Sequence, residues 1–234
     1  MYKLSMAVIL AAGEGKRLKN RSIRKPLVSV GGKPLICNII DNLIEARIDT
    51  IYIVKRKDDC LDSILKRYND QKVKIKFIDD DKGSGSLYTL SLVNKINTEW
   101  IVCADCDVIC KKNEFVQMID EGRTLIGQGK VQGVITKVLN PSVFDRNMLL
   151  IENERAIHFV KTGIDNGKRG GYVYIFNRVI FRECNQLLHI GCSSMAIFLD
   201  AIMQKYDIGV MQINDMWDVD TWEDVNFTNR IMMV

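Results

Sequence analysis

Histidine and proline are scarce in this chain: two and three among 234 residues, with aromatic residues at 8%. His158 and His189 have no serine, cysteine or aspartate at a spacing that marks a proton relay, so imidazole catalysis is not expected. No apolar run approaches the roughly 18–20 residues that cross a bilayer, and no membrane span is expected. The apolar start, residues 1–10, has the outline of a short signal peptide. A Gly-rich loop follows where a small-residue cleavage site would stand, so it reads as a buried first strand, with the cytosol as the expected compartment. Low-complexity linkers and repeats are absent. Net charge is +4, too mild to imply a nucleic-acid partner.

What is present fits an ordinary globular protein: 47% hydrophobic and 26% charged residues, in a length that suits one large domain. Seven cysteines, an odd number without secretory context, are expected to be free thiols. Cys103, Cys106 and Cys110 have the spacing of a metal cluster. A tetrahedral thiolate site needs a fourth ligand, and the other cysteines show no matching pair. Buried strand thiols account for them better.

Strand and helix alternate through the first half. Residues 6–12, 50–54, 73–78 and 100–104 have strand composition; residues 34–46, 58–68 and 86–94 have helical periodicity. That order implies a mainly parallel sheet with helices on both faces, and such sheets bind ligands at the carboxyl ends of their strands. The second half reads mostly as strands, at 131–138, 148–152, 156–161 and 171–176. A helix follows at 193–205, then a strand at 208–213 and a closing helix at 221–232. The chain is expected to be one domain over 1–234, with a nucleotide-binding half to about residue 125 and an acceptor-binding half from 126.

The first strand runs into Leu10-Ala11-Ala12-Gly13-Glu14-Gly15-Lys16-Arg17-Leu18, then Lys25-Pro26-Leu27. Small residues after a strand let backbone N–H groups approach phosphate oxygens. Lys16, Arg17, Lys19, Arg21, Arg24 and Lys25 follow the turn closely, which favours a phosphate site over a merely solvated loop. Arg17 and Lys25 are the candidates to neutralise a triphosphate. Neither a Walker A loop nor a Gly-x-Gly-x-x-Gly fingerprint is present. Near the other end, Trp217-Asp218-Val219-Asp220-Thr221 places two aspartates two residues apart. In an extended segment both point to one side and can ligate one hard cation. Thr221, Glu223 and Asp224 are explained by capping of the last helix.

Taken together, Leu-Ala-Ala-Gly-x-Gly-x-Arg-Leu, Lys-Pro-Leu and Gly32-Lys33-Pro34-Leu35-Ile36 resemble the opening of the nucleotidyltransferase family of sugar-nucleotide pyrophosphorylases and phospho-alcohol cytidylyltransferases. The Asp218-Val219-Asp220-Thr221 element is closest to inositol-1-phosphate cytidylyltransferase-like members. The resemblance implies an α/β, GT-A-like Rossmann-type fold, with a mixed, mostly parallel central sheet. It places nucleotide at Leu10, Ala11, Ala12, Gly13, Glu14 and Gly15, at Lys82, Gly83, Ser84 and Ser86, and at Ala104. Lys161 and Gly171 are implied on the acceptor side. Asp105, with Asp107 in reserve, joins Asp218 and Asp220 as ligands of Mg²⁺ or Mn²⁺.

The implied reaction joins an NTP to a phosphorylated polyol or alcohol and releases pyrophosphate. The missing Gln-Pro-x-Gly element leans towards CTP. A sugar-1-phosphate nucleotidyltransferase using UTP, dTTP or GTP is the alternative. A homodimer is left open. A catalytically dead nucleotide-binding subunit is disfavoured by the intact Arg17, Lys25, Asp105 and Asp218 set. An oxidoreductase is disfavoured by the missing third glycine and by Lys55-Arg56-Lys57 after the second strand.

Overall fold

Unbroken apolar runs such as Met6–Leu10 can form only strands covered on both faces, and that requirement organises the molecule. The computed structural model describes residues 4–18, 23–57, 59, 61–68, 71–83, 85–140, 147–160 and 167–232. In chain order the elements are β1 (Met6–Leu10), β2 (Ser29–Val30), β3 (Lys33–Pro34), α1 (Leu35–Glu45), β4 (Thr50–Arg56), α2 (Asp62–Arg67) and β5 (Lys74–Asp80). Next come α3 (Ser86–Ser91), β6 (Trp100–Asp105), β7 (Val108–Cys110), α4 (Lys112–Gly127), β8 (Gly133–Val138), β9 (Met148–Glu152), β10 (Arg155–Val160) and β11 (Lys168–Asn177). The chain closes with α5 (Phe181–His189), α6 (Met195–Lys205), β12 (Ile208–Ile213), β13 (Met216–Asp218) and α7 (Trp222–Met232). Short 3₁₀ turns occur at Lys16–Leu18 and Lys25–Leu27.

Nine strands make one sheet in the order β5-β4-β1-β6-β11-β8-β12-β10-β9. The first four are parallel. β11 then runs antiparallel to β6 and β8, and β12 runs parallel to β8. Side-chain alternation sends Ile9, Ile51, Val102 and Ile175 to the face covered by α1, α2 and α4. It sends Val8, Leu10, Ile101 and Phe176 to the face covered by α3, α5 and α6. Cys103 belongs to this second face and Cys106 to the first, so the sheet itself separates the thiols that resembled a cluster. A third apolar group, including Leu18, Val28, Val30, Ile109, Val219 and Val225, ties the N-terminal loop to α7. No helix among the described residues is long and apolar enough to cross a membrane.

The expected α/β architecture is present, with differences in detail. The 16-residue α4 and the 9-residue α5 are additional to the elements expected from sequence. In α4 the buried Phe115, Met118, Ile119 and Ile126 are interleaved with charges, and Gly122 breaks the apolar stripe. Gly122 is there because α4 sits close on β11: a Cβ at this position would meet Ile175 Cδ1 at 2.4 Å. α2 covers Asp62–Arg67 only, and its expected start at Asp58 lies outside the described residues. β1 ends at Leu10, although the Ala11 N–H still donates to the Val54 carbonyl at 2.8 Å.

Candidate active site

The carboxyl ends of the parallel strands deliver four loops to one edge: the Gly-rich loop after β1, Arg56 at the end of β4, the turn after Asp80 of β5, and the Asp105–Asp107 turn after β6. Together with β11, α6 and the start of α7 they enclose a cleft of about 1310 Å³.

The Gly-rich loop is held from outside itself. Arg56 Nε donates to the Ala12 carbonyl at 3.1 Å, and its guanidinium pairs with Glu14 at 3.0 Å. Arg24 Nε lies 2.5 Å from Asp59, anchoring the loop's far end. Gly15 has φ +62°, a left-handed conformation that side chains resist. A Cβ there would lie 3.0 Å from Lys25 Cβ, so the glycine also makes room for Lys25.

Residues more than a hundred positions apart meet through a two-stranded ribbon. β7 pairs antiparallel with β13, with Asp218 opposite Val108, and the Val219 N–H donates to the Asp107 carbonyl at 3.0 Å. Asp224 Oδ2 accepts from the Asp220 and Thr221 N–H groups at 3.0 and 2.7 Å, while Thr221 Oγ1 accepts from Asp224 N–H at 3.2 Å. This reciprocal cap fixes the turn that carries Asp220.

Carboxylate oxygens of Asp107, Asp218 and Asp220 lie within 4.8 Å of one another. Lys25 Nζ pairs with Asp107 and lies 2.7 Å from Asp220, and Arg17 pairs with the second Asp220 oxygen. Asp107 Oδ1 is buried with no hydrogen-bond partner. Burial alone would pull the Lys25 ammonium down, but Asp107, Asp218 and Asp220 hold it above the usual lysine range. Burial, reinforced by Asp107, pushes Asp105 and Asp218 well above the usual carboxylate range, against the opposing pull of Lys25.

Asp105 lines the cleft but is not one of the three mutually close carboxylates; Asp107 takes that place. β6 holds Asp105 in the sheet opposite Leu10 of β1, whereas Asp107 stands in the turn that leads into the ribbon.

Of the other residues expected from sequence, Leu10, Ala12, Gly13, Glu14, Gly15, Arg17, Lys25, Gly83, Ser86, Asp218 and Asp220 line the cleft. Ala11, Ala104 and Gly171 are buried around it. Lys82 is exposed, its ammonium 5.3 Å from the Tyr88 ring centroid. Ser84 and Lys161 lie outside the described residues. Ser86 is the first residue of α3 and not its cap, which is Gly85.

Sequence reasoning missed Arg56, whose only signal was a cation at the end of a strand. It also missed Asp80, which accepts from the N–H groups of Lys82 and Gly83 at 3.1 and 2.8 Å and from Thr89 Oγ1 at 2.9 Å. Thr221, Glu223 and Asp224, set aside as helix cap, line the cleft as well. His158 does have a partner, Asp200 at 3.0 Å, but the pair stands outside the lining.

The opposite wall comes from β9–β11 and α6: Met148, Phe159, Arg169, Tyr172, Tyr174, Met195 and Leu199. β11 bulges between Gly170 and Tyr174, and the Tyr174 hydroxyl donates to the Gly171 carbonyl across the bulge.

Comparisons with known proteins bear on the family and the fold. The mannose-1-phosphate guanyltransferase of Aspergillus oryzae is 30% identical over 188 residues, 73% of this chain and 49% of that one. The bifunctional protein GlmU of Methanococcus aeolicus is 30% identical over 226 residues, 91% of this chain and 50% of that one. The chain thus spans about half the length of the curated relatives it matches. The solved structure of the inositol-1-phosphate CTP transferase from T. maritima superposes with a TM-score of 0.84 at 15% identity, covering 100% of this chain and 97% of that one, which establishes the GT-A-like nucleotidyltransferase fold. The family model for the MobA-like NTP transferase domain matches residues 7–128, the segment that carries the Gly-rich loop, Lys25, Asp105 and Asp107. This chain belongs to the MobA-like NTP transferase domain family.

Proposed function

We propose that the protein is a nucleotidyltransferase that joins a nucleoside triphosphate to a phosphorylated sugar or polyol and releases pyrophosphate. The observation that carries this reading is the meeting of the Gly-rich loop, Arg17 and Lys25 with three carboxylates from distant parts of the chain in one cleft. A phosphate oxygen of the acceptor attacks the α-phosphorus in line, and the bond to the pyrophosphate leaving group breaks. The acceptor monoester is already anionic near neutral pH, so no general base is needed. The barrier is repulsion between two anions. Arg17 and Lys25 lower it by neutralising the triphosphate and the charge that develops on pyrophosphate. Backbone N–H groups of the Gly-rich loop hold the phosphates, and the wall of β9–β11 positions the acceptor.

Asp107, Asp218 and Asp220 fit a hard divalent cation such as Mg²⁺ or Mn²⁺: all three are oxygen donors, mutually close, and Asp107 Oδ1 is buried without a hydrogen-bond partner. When bound, such a cation supplies positive charge at the α-phosphate. Asp105 also lines the cleft, close enough to Asp107 and Asp220 to feel their charge.

Two base preferences have separate support. The missing Gln-Pro-x-Gly element and the Asp218-Val219-Asp220-Thr221 segment favour CTP. The 30% identity to a mannose-1-phosphate guanyltransferase favours GTP. Pyrophosphate release measured with each NTP, Mg²⁺ and a panel of sugar 1-phosphates and inositol 1-phosphate tests both. Preference for CTP with a polyol phosphate supports the first reading, and preference for GTP with a hexose 1-phosphate supports the second. No pyrophosphate from any pair overturns the transferase reading.

A further inference from the structure

Among the described residues five cations line the cleft, and four are already paired. Lys16 lies 2.6 Å from Glu14, Arg56 lies 3.0 Å from Glu14, Arg17 pairs with Asp220, and Lys25 pairs with Asp107 and Asp220. Arg169 is the exception: among the described residues its guanidinium has no ion pair and no hydrogen bond. It stands on β11 opposite Val138 of β8 and Met148 of β9, immediately before the Gly170–Tyr174 bulge.

The distribution of charge around the cleft sharpens the contrast. The lining carboxylates come from the loop after β1, the ends of β5 and β6, the turn after β6 and residues 218–224. Among the described residues, the wall built from residues 147–160 and 167–199 contributes none; its lining there is Asn147 and apolar or aromatic side chains, with Arg169 as the one charge. An unpaired, half-buried guanidinium set in an apolar wall, facing a space of this size, is suited to an anionic group such as a phosphomonoester, two of whose oxygens can accept parallel N–H bonds. Arg17 and Lys25, at the other end, pair with Asp107 and Asp220 in the ligand-free protein.

We propose that Arg169 binds the phosphate of the acceptor and thereby selects phosphomonoesters over unphosphorylated polyols. This rests on the transferase reading above. An Arg169 contact would hold the monoester against the apolar wall, leaving one of its oxygens free to face the α-phosphorus.

The test is steady-state kinetics of wild type, Arg169→Ala and Arg169→Lys by pyrophosphate release, varying hexose 1-phosphate or inositol 1-phosphate at saturating NTP, then NTP at saturating acceptor. Melting temperatures are recorded alongside. For Arg169→Ala the expected result is an acceptor KM raised about 10- to 100-fold, as for a lost charge-assisted hydrogen bond, with the NTP KM and melting temperature unchanged. Arg169→Lys should recover part of the loss, since the charge returns without the planar fork. An unchanged acceptor KM in active Arg169→Ala overturns this assignment and leaves the transferase reading intact, as does an equal rise in the NTP KM. A wild-type protein that releases no pyrophosphate with any acceptor overturns both.

Discussion

Lys25 and Arg17 occupy two roles with one charge each. In the ligand-free protein they neutralise Asp107 and Asp220; under the proposed reaction they neutralise the triphosphate instead. Lys25→Ala and Arg17→Ala should each lower turnover about 100-fold, the scale of a lost oxyanion donor, while the fold persists. The two should differ in stability. The Arg17 side chain is 67% exposed, so its ion pair adds little. Lys25 is 9% exposed, and removing it takes the counter-charge from Asp107 and leaves Asp220 with only the exposed Arg17. Added Mg²⁺ should therefore raise the melting temperature of Lys25→Ala more than that of wild type, and wild-type turnover in both variants would remove these residues from the mechanism. Asp107→Asn should weaken Mg²⁺ binding, read by calorimetry, more than Asp105→Asn does, because Asp107 and not Asp105 belongs to the close trio. The sequence made Arg17, Lys25, Asp218 and Asp220 legible because each stands in a short motif whose spacing carries the chemistry. For the first ligand the resemblance chose Asp105 and held Asp107 in reserve; the close trio contains Asp107 instead, through the β7–β13 ribbon, a pairing between distant segments.

At the scale of elements, the wall facing the nucleotide end depends on a backbone that only glycine permits. Gly170 lies so close to β8 that an added Cβ would stand 1.9 Å from the Thr136 carbonyl oxygen. Gly170→Ala must push strand from strand, at a cost of about 3 kcal/mol, or a fall in melting temperature of roughly 6–12 °C for a domain of this size. A melting temperature within about 2 °C of wild type would mean that the bulge yields freely. The pairing of a glycine with a tight contact was only partly readable beforehand. The resemblance singled out Gly171, but not Gly170 or the carbonyl that crowds it. The same limit explains α4. Its apolar stripe is interrupted by Gly122, and only the position of Ile175 on β11 reveals that the gap is filled from the other side. The strands of the parallel half were legible because burial on both faces leaves continuous apolar runs, whereas α5, at nine residues, offers too short a period to separate from its flanks.

For the whole molecule, the decisive feature is that the two ends of the chain are built together. Trp222 Nε1 donates to the Leu18 carbonyl at 2.6 Å, and the Gly31 N–H donates to Asn229 Oδ1 at 2.8 Å. The apolar group of Leu18, Val28, Val219 and Val225 packs beneath them. This packing brings the Gly-rich loop near residue 15 and the acidic pair around residue 219 to one cleft, and the proposed transfer has a direct signature. The most direct measurement is ³¹P NMR of the protein with NTP, Mg²⁺ and a phosphorylated acceptor. The account expects the NTP and monoester signals to be replaced by inorganic pyrophosphate and a pair of coupled diphosphate resonances, with no reaction when the acceptor is omitted. Conversion of NTP to NDP and inorganic phosphate, or an unchanged spectrum across the acceptor panel, would contradict it.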